Sequence, residues 1–205
     1  MLGDVVRPDM APDGIRHPVL HHINLKTNRL DEMIEWYGIV VGMHPNFRSD
    51  TMAFLTNDAA NHRIALLGLP GYTDDAERDN HCGMHHSGFE FASLEDLLTR
   101  YETLKAVGIV PVGCIDHGLT MSFYYADPDG NQVELQADNY EDWRTSTEWM
   151  VESEDFARDQ IGKFVDPEKI VAAFRGGMTP MEIHEEAYWG TALDAPPVVF
   201  GPNGA

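Results

Sequence analysis

His22, His86 and Glu134 are the residues of this chain whose types and settings bear most directly on chemistry. Each sits in a short run that alternates apolar and polar residues. In Leu20–Lys26, Ile23 and Leu25 take one face and His22, Asn24 and Lys26 the other. In His85–Phe91, Phe89 and Phe91 leave His86 with Gly88 and Glu90, and in Asn131–Gln136, Val133 and Leu135 leave Glu134 with Gln132 and Gln136. Alternation of period two describes a strand with one packed face and one face available for other work. Two histidines and a carboxylate on such faces form the ligand set of a non-haem Fe(II) site with open coordination positions.

The elements that must position these residues come in two copies. From His22 to His86 is an offset of 64 residues, under which His22-x-x-Leu25 falls on His86-x-x-Phe89, Asp31–Ile34 on Glu95–Leu98, and Tyr37 on Tyr101. Each copy reads as a strand followed by a helix, over Leu30–Val41 and Leu94–Val107. Acids in the first turn complement the helix dipole, and Gly42 and Gly108 follow the ends. Short β-like runs come next: Met52–Leu55 and His62–Leu67 in the first copy; Val110–Ile115, Thr120–Ala126 and Gln132–Gln136 in the second. Each copy is therefore a βαβββ module, about residues 17–70 and 82–137, and repeated units of this size pair to bury a shared face. Residues 1–137 are expected to form a paired catalytic domain.

From Asn139 the strands are expected to stop. Asp166-Pro167-Glu168 has an N-cap followed by proline at the first helical position, and that helix should end at Gly176-Gly177. Thr179-x-x-Glu182 has capping-box spacing. Residues 138–205 read as a helical extension of the same domain, ending in a loose tail that holds Pro196, Pro197, Gly201, Pro202 and Gly204.

Composition sets the outer limits. The chain has 205 residues, 43% of them hydrophobic, with no run approaching a membrane span and no signal-peptide pattern at Met1–Pro8. Two cysteines, Cys82 and Cys114, are too few for a disulfide framework, which makes the cytoplasm the expected compartment. With 34 acidic against 14 basic residues, the net charge of −20 argues against nucleic acid as a partner.

The segment Ile115-Asp116-His117, then five residues, then Phe123-Tyr124-Tyr125-Ala126-Asp127-Pro128-Asp129-Gly130-Asn131-Gln132-Val133-Glu134 resembles the signature of type I extradiol ring-cleavage dioxygenases. These belong to the vicinal oxygen chelate superfamily, and the wider resemblance covers about residues 17–137, as in its short, single-domain members. The resemblance implies an α+β fold of two paired βαβββ modules with the helical extension added. It also implies metal ligands at His22, His86 and Glu134. His21 and His85 are set aside because alternation turns them to the apolar, helix-facing sides of their strands. By the same resemblance His62, in Asn61-His62-Arg63-Ile64, matches the family's acid–base histidine. His117 would hydrogen-bond the deprotonated substrate oxygen, and Tyr124 would support that oxygen or the ring-opening step.

The implied reaction joins a small aromatic diol and O2 at Fe(II), with Mn(II) accepted by the same ligand set, in aromatic catabolism and in a homo-oligomer. Glyoxalase-like relatives use a further ligand from the end of the first module. The corresponding position here is Pro70, and Arg63–Leu69 contains no acid, which fits an open three-ligand site. The alternatives on this fold are a metal-dependent isomerase or lyase and an aromatic-ligand-binding resistance protein. Elsewhere the bland readings are preferred. Asp127–Gly130 is a turn, Cys82 a loop cysteine, Cys114 a small strand residue, Trp36-Tyr37 helix core, and the methionines core filling; His44 and His184 have no nameable partner.

Overall fold

A computed structural model describes residues 18–198. Residues 1–17 and 199–205 lie outside the described residues, and with them Gly201, Pro202 and Gly204 of the expected loose tail. The chain divides into two compact units. One contains the first module, through Ala76, with the turn Asp127–Gly130; the other contains the second module from Glu77 and the whole described extension.

The first module contains β1 (Ile23–Lys26), α1 (Leu30–Val41), β2 (His44–Arg48), β3 (Met52–Thr56) and β4 (Ile64–Leu67). Its sheet has the order β1-β4-β3-β2, with β1 parallel to β4 and the other pairs antiparallel. Helix α1 forms where it is expected because Met33, Tyr37, Val40 and Val41 make one apolar stripe, and all four are buried. Gly42 ends it at φ 77°, returning its N–H to the Tyr37 carbonyl. Strand β2 is not anticipated by the alternation pattern. It is an exposed edge carrying Pro45, with a register shift between Pro45 and Phe47, as suits proline in a strand.

The second module contains β5 (His86–Phe91), α2 (Leu94–Ala106), β6 (Gly113–Asp116), β7 (Thr120–Ala126) and β8 (Gln132–Asp138). Its helix repeats the first: Leu97 and Tyr101 stand where Met33 and Tyr37 do, and all are buried. Ser93 caps α2 by accepting the Asp96 N–H. Strand β6 starts later than expected because Pro111 has no N–H to donate, although Val112 still donates to the Tyr124 carbonyl at 2.7 Å.

The extension supplies α3 (Trp143–Glu152), α4 (Glu154–Arg158), β9 (Lys163–Phe164), α5 (Pro167–Arg175) and α6 (Pro180–Trp189). The Asp166 cap and the Thr179–Glu182 capping box both form as the sequence predicts. One expectation fails: the strands do not stop at Asn139. Strand β9 adds to β6, pairing Ile115 with Phe164 and Asp116 with Lys163, so the second sheet runs β5-β8-β7-β6-β9. Two residues are too few to register as a periodic signal. The result is an α+β fold of two mixed sheets with a helical C-terminal region. No helix among the described residues is long and apolar enough to cross a membrane.

Candidate active site

The second module gathers four of the expected site residues. Parallel pairing of β5 with β8 sets Gly88 opposite Glu134, and antiparallel pairing of β7 with β8 sets Tyr124 opposite Glu134. Cross-strand partners share a face, so the side chains converge. His86 Nε2 lies 3.2 Å from Glu134 Oε2, and the Tyr124 hydroxyl donates to Glu134 Oε1 at 2.9 Å. Tyr124 Oη also lies 2.8 Å from His117 Nε2, and His117 Nδ1 donates to the Ile161 carbonyl at 2.6 Å. Gly88 leaves the room this requires, since a Cβ there would stand 3.2 Å from Glu134 Oε2.

This polar face is not open as alternation suggests. Glu134, Tyr124 and Ser122 are buried, and His86 and His117 are half-buried. Burial would push the Glu134 carboxyl up, but hydrogen bonds from His86, Ser122 and Tyr124 together hold it below the usual carboxylate range. Burial pulls His117 below the ordinary histidine value, outweighing the Glu134 charge and the Ile161 carbonyl, which act in the opposite direction. Tyr124 is pushed well up, first by burial and then by the Glu134 charge. The neutral forms of His117 and Tyr124 are thus favoured beside an ionised Glu134.

The first module places His22 just ahead of β1 and His62 just ahead of β4. Their rings are 4.3 Å apart between centroids, and His62 stacks on Phe54 at 4.7 Å. His21 does not turn to the helix side, as alternation predicts. It is exposed, its Nδ1 is 3.2 Å from that of His22, and the ligand nitrogens of His21, His22 and His62 all lie within 4.8 Å of one another. The strand begins only at Ile23, so strand alternation does not govern His21. His85 likewise precedes its strand and is exposed, with Nδ1 2.8 Å from His86 Nδ1. Burial, then the neighbouring His22 and His21 rings, hold His62 below the ordinary histidine value.

Two residues that the sequence leaves without a role belong to this setting. Asp116 and His184 form a buried pair, Oδ2 to Nδ1 at 2.8 Å, directly beside His117 in the chain. The proximity of Asp116 to the signature histidine was the available signal; that of His184, 68 positions later, was not legible. Other readings hold: Cys114 is buried in β6, Cys82 is exposed, and Asp127–Gly130 is a turn in which Gly130 donates to the Asp127 carbonyl at 2.8 Å.

Known proteins share this arrangement of elements. The profile of the Glyoxalase/Bleomycin resistance protein/Dioxygenase superfamily matches residues 19–135. Biphenyl-2,3-diol 1,2-dioxygenase 3 of Rhodococcus globerulus is 39% identical over 171 residues, which span 83% of this chain and 90% of that protein. Biphenyl-2,3-diol 1,2-dioxygenase 2 of the same organism is 38% identical over 185 residues, 90% of this chain and 95% of that protein. Among solved structures, a glyoxylase/bleomycin resistance protein/dioxygenase domain from Frankia sp. EAN1pec superposes with a TM-score of 0.50 at 21% identity, covering 60% of this chain and 93% of the domain. The profile spans more than half of the chain and the Rhodococcus proteins align along nearly their whole length, so the chain belongs to the Glyoxalase/Bleomycin resistance protein/Dioxygenase superfamily.

Proposed function

We propose that this chain is an extradiol dioxygenase that opens the aromatic ring of a catecholic substrate beside its diol, in aromatic compound catabolism. The observation that carries the reading is the line His86–Glu134–Tyr124–His117, each polar atom within 3.2 Å of the next, built around the buried Glu134 and Tyr124. Kinship with two biphenyl-2,3-diol 1,2-dioxygenases points to a bicyclic diol as the first substrate to try.

His22, His86 and Glu134 are the proposed ligands of one Fe(II), and the donor set suits it. Two protein donors to one first-row cation stand about 3 Å apart. The 3.2 Å between His86 Nε2 and Glu134 Oε2 matches that spacing, and the carboxylate is held ionised for the role. A ferrous ion would supply open positions for a catechol and O2 and the electron density that lets them react.

The protein's own groups manage protons and orientation. The Ile161 carbonyl can only accept, so His117 carries its proton on Nδ1 and presents a lone pair at Nε2. That nitrogen and Glu134 Oε1 compete for the one proton of Tyr124. A substrate hydroxyl reaching His117 Nε2 would find an acceptor kept neutral by burial, with the Tyr124 hydroxyl beside it to donate to the resulting oxyanion. His62 is proposed as the second acid–base group, since its lowered value keeps it neutral and ready to take a proton near pH 7.

The proposal extends to a catalytic domain in which the two modules pair, to a homo-oligomer, and to the cytoplasm as its compartment. The test is oxygen uptake by the Fe(II)-loaded chain with 2,3-dihydroxybiphenyl and simpler catechols. One O2 consumed per coloured ring-fission product supports it. No uptake by protein that holds iron overturns it in favour of an isomerase, a lyase or a binding protein on the same fold.

A further inference from the structure

The segment carrying His117 is held on one side by β7, where Asp116 pairs with Met121 and the His117 N–H donates to the Thr120 carbonyl at 2.9 Å, and on the other by the extension, which lies beyond the residues matched by the superfamily profile. Asp116 pairs with Lys163 in β9, and Gly162 packs so close that a Cβ there would stand 2.1 Å from the Asp116 carbonyl oxygen. Gly118 turns at φ 88° against the Trp149 ring of α3, which a Cβ would meet at 2.0 Å. Ile161, between α4 and β9, fixes the His117 tautomer through its carbonyl.

Beneath this turn the Asp116 carboxylate is fully buried and accepts three hydrogen bonds. Oδ1 takes the Gly118 N–H at 2.8 Å and Asn139 Nδ2 at 2.9 Å; Oδ2 takes His184 Nδ1 at 2.8 Å. Asn139 Nδ2 also lies 3.1 Å from both the Gly118 carbonyl and His184 Nδ1. Its two protons are used by Asp116 and Gly118, so the His184 proton goes to Asp116. The other ring nitrogen, Nε2, is buried with no hydrogen-bond partner among the described residues, and the ring is surrounded by Tyr140, Tyr188 and Trp189. A histidine that leaves half its hydrogen-bonding capacity unmet is a poor stabiliser, and a buried acid–base pair is weak evidence of stabilisation in itself. Through this ring α6 meets the carboxylate that shapes the turn bearing His117.

We propose that His184 and Asp116 are positioning residues, through which α6 of the extension fixes the Asp116–Gly118 turn and hence the direction in which His117 Nε2 points. The inference rests on the reading of His117 as a group that meets substrate. A misplacement of about 1 Å in such a group can cost about 100-fold in rate.

The test compares His184→Phe, which keeps the ring and loses the donor, with His184→Asn, whose amide nitrogen can take the place of Nδ1. In Fe(II)-loaded protein with 2,3-dihydroxybiphenyl, His184→Phe should lose about 10-fold or more in kcat with iron content and KM little changed, and His184→Asn should stay within about 3-fold of the parent. In the full chain loaded with Zn2+ instead, nitrogen-15 NMR should show His117 as the Nδ1–H tautomer in the parent and in His184→Asn, and as a tautomer mixture in His184→Phe. Asn139→Ala, which removes a donor to Asp116 from outside α6, should give the same signature at smaller amplitude and serves if His184→Phe does not fold. Parent-like kcat and His117 tautomer in His184→Phe or, failing that, in Asn139→Ala would overturn the proposal. So would equal losses in His184→Phe and His184→Asn that follow thermal stability alone. If the parent cleaves no catechol, the functional reading fails, while the substrate-free NMR comparison still decides the positioning role.

Discussion

The two modules repeat the same strand and helix yet support their candidate site residues in different ways. In the first, His21, His22 and His62 cluster at strand beginnings, exposed or half-exposed, touching chiefly one another and Phe54. In the second, Glu134 and Tyr124 are buried and every member of the line from His86 to His117 lies within 3.2 Å of the next. Among the described residues the second module also has a fifth strand, where the first sheet has four, and helices that meet the segment bearing its histidine. Duplication supplies two equivalent positions for ligands; precise placement of acid–base groups requires additional chain. On this comparison the second module holds its candidate residues pre-organised, and the first sets its candidate histidines at exposed strand beginnings.

The strongest way to break that contrast is to remove a proposed ligand from each module. Glu134→Ala and His22→Ala are both expected to lose more than about 100-fold in turnover, beyond the cost of outer partners, together with bound iron measured by metal analysis. If His22→Ala retains iron, His62 or His21 has replaced it and the three histidines are a redundant cluster. Next come His117→Gln and Tyr124→Phe, expected to lower kcat by about 100-fold with iron retained. His62→Gln is expected to lower kcat with iron retained as well; iron lost with it would make His62 a ligand.

Much of this was legible in the sequence, for reasons that also explain what was not. Helix α1 is recovered at both ends because Met33, Tyr37 and Val41 mark its stripe and Gly42 its stop. Period-two alternation groups Tyr124 with Ser122, and Glu134 with Gln132 and Gln136, on their strands, while the β7–β8 register that sets Tyr124 opposite Glu134 has no signal in either strand alone. Alternation says nothing of residues ahead of a strand, and so it misplaces His21 and His85. Nor does it report what covers a polar face, so the burial of Glu134 and Ser122 was hidden. The His184–Asp116 pair is a contact across 68 positions between a helix and a strand end, with no local pattern to announce it.

The protonation states sharpen the comparison at intermediate effect. His117 and His62 both lie below the ordinary value of 6.5, each owing first to burial. As neutral bases they stay competent at pH 6.5 and are lost only as pH falls further, so the acid limb of kcat/KM should lie below pH 6.5. The folded state also binds fewer protons than the unfolded chain in that window, so stability should decline as pH drops through it. An acid limb above 6.5 in a pH–rate profile would contradict the neutral assignment. Gly88→Ala tests the tight packing around Glu134. A Cβ at 3.2 Å from Oε2 must displace the carboxylate by a few tenths of an ångström, and iron affinity should fall by about 10-fold at nearly unchanged thermal stability.

The smallest expected effect is the most discriminating for the first module. His21 is exposed and sits beside His22, and no ligand role is proposed for it. His21→Ala should therefore leave iron content unchanged and kcat within about 2-fold, the range of an ordinary surface substitution. It should still leave a trace, because the His21 ring is one of the causes that lower His62. Removing it lets His62 rise toward its ordinary value, and the acid limb of kcat/KM should move upward with it. Combined with His62→Gln, the His21→Ala shift should vanish, since the group that reports it is gone. A shift that survives in the double variant would mean that the limb belongs to the second module, and loss of iron in His21→Ala alone would make the first module's histidines a three-imidazole ligand cluster and not a group with one ligand.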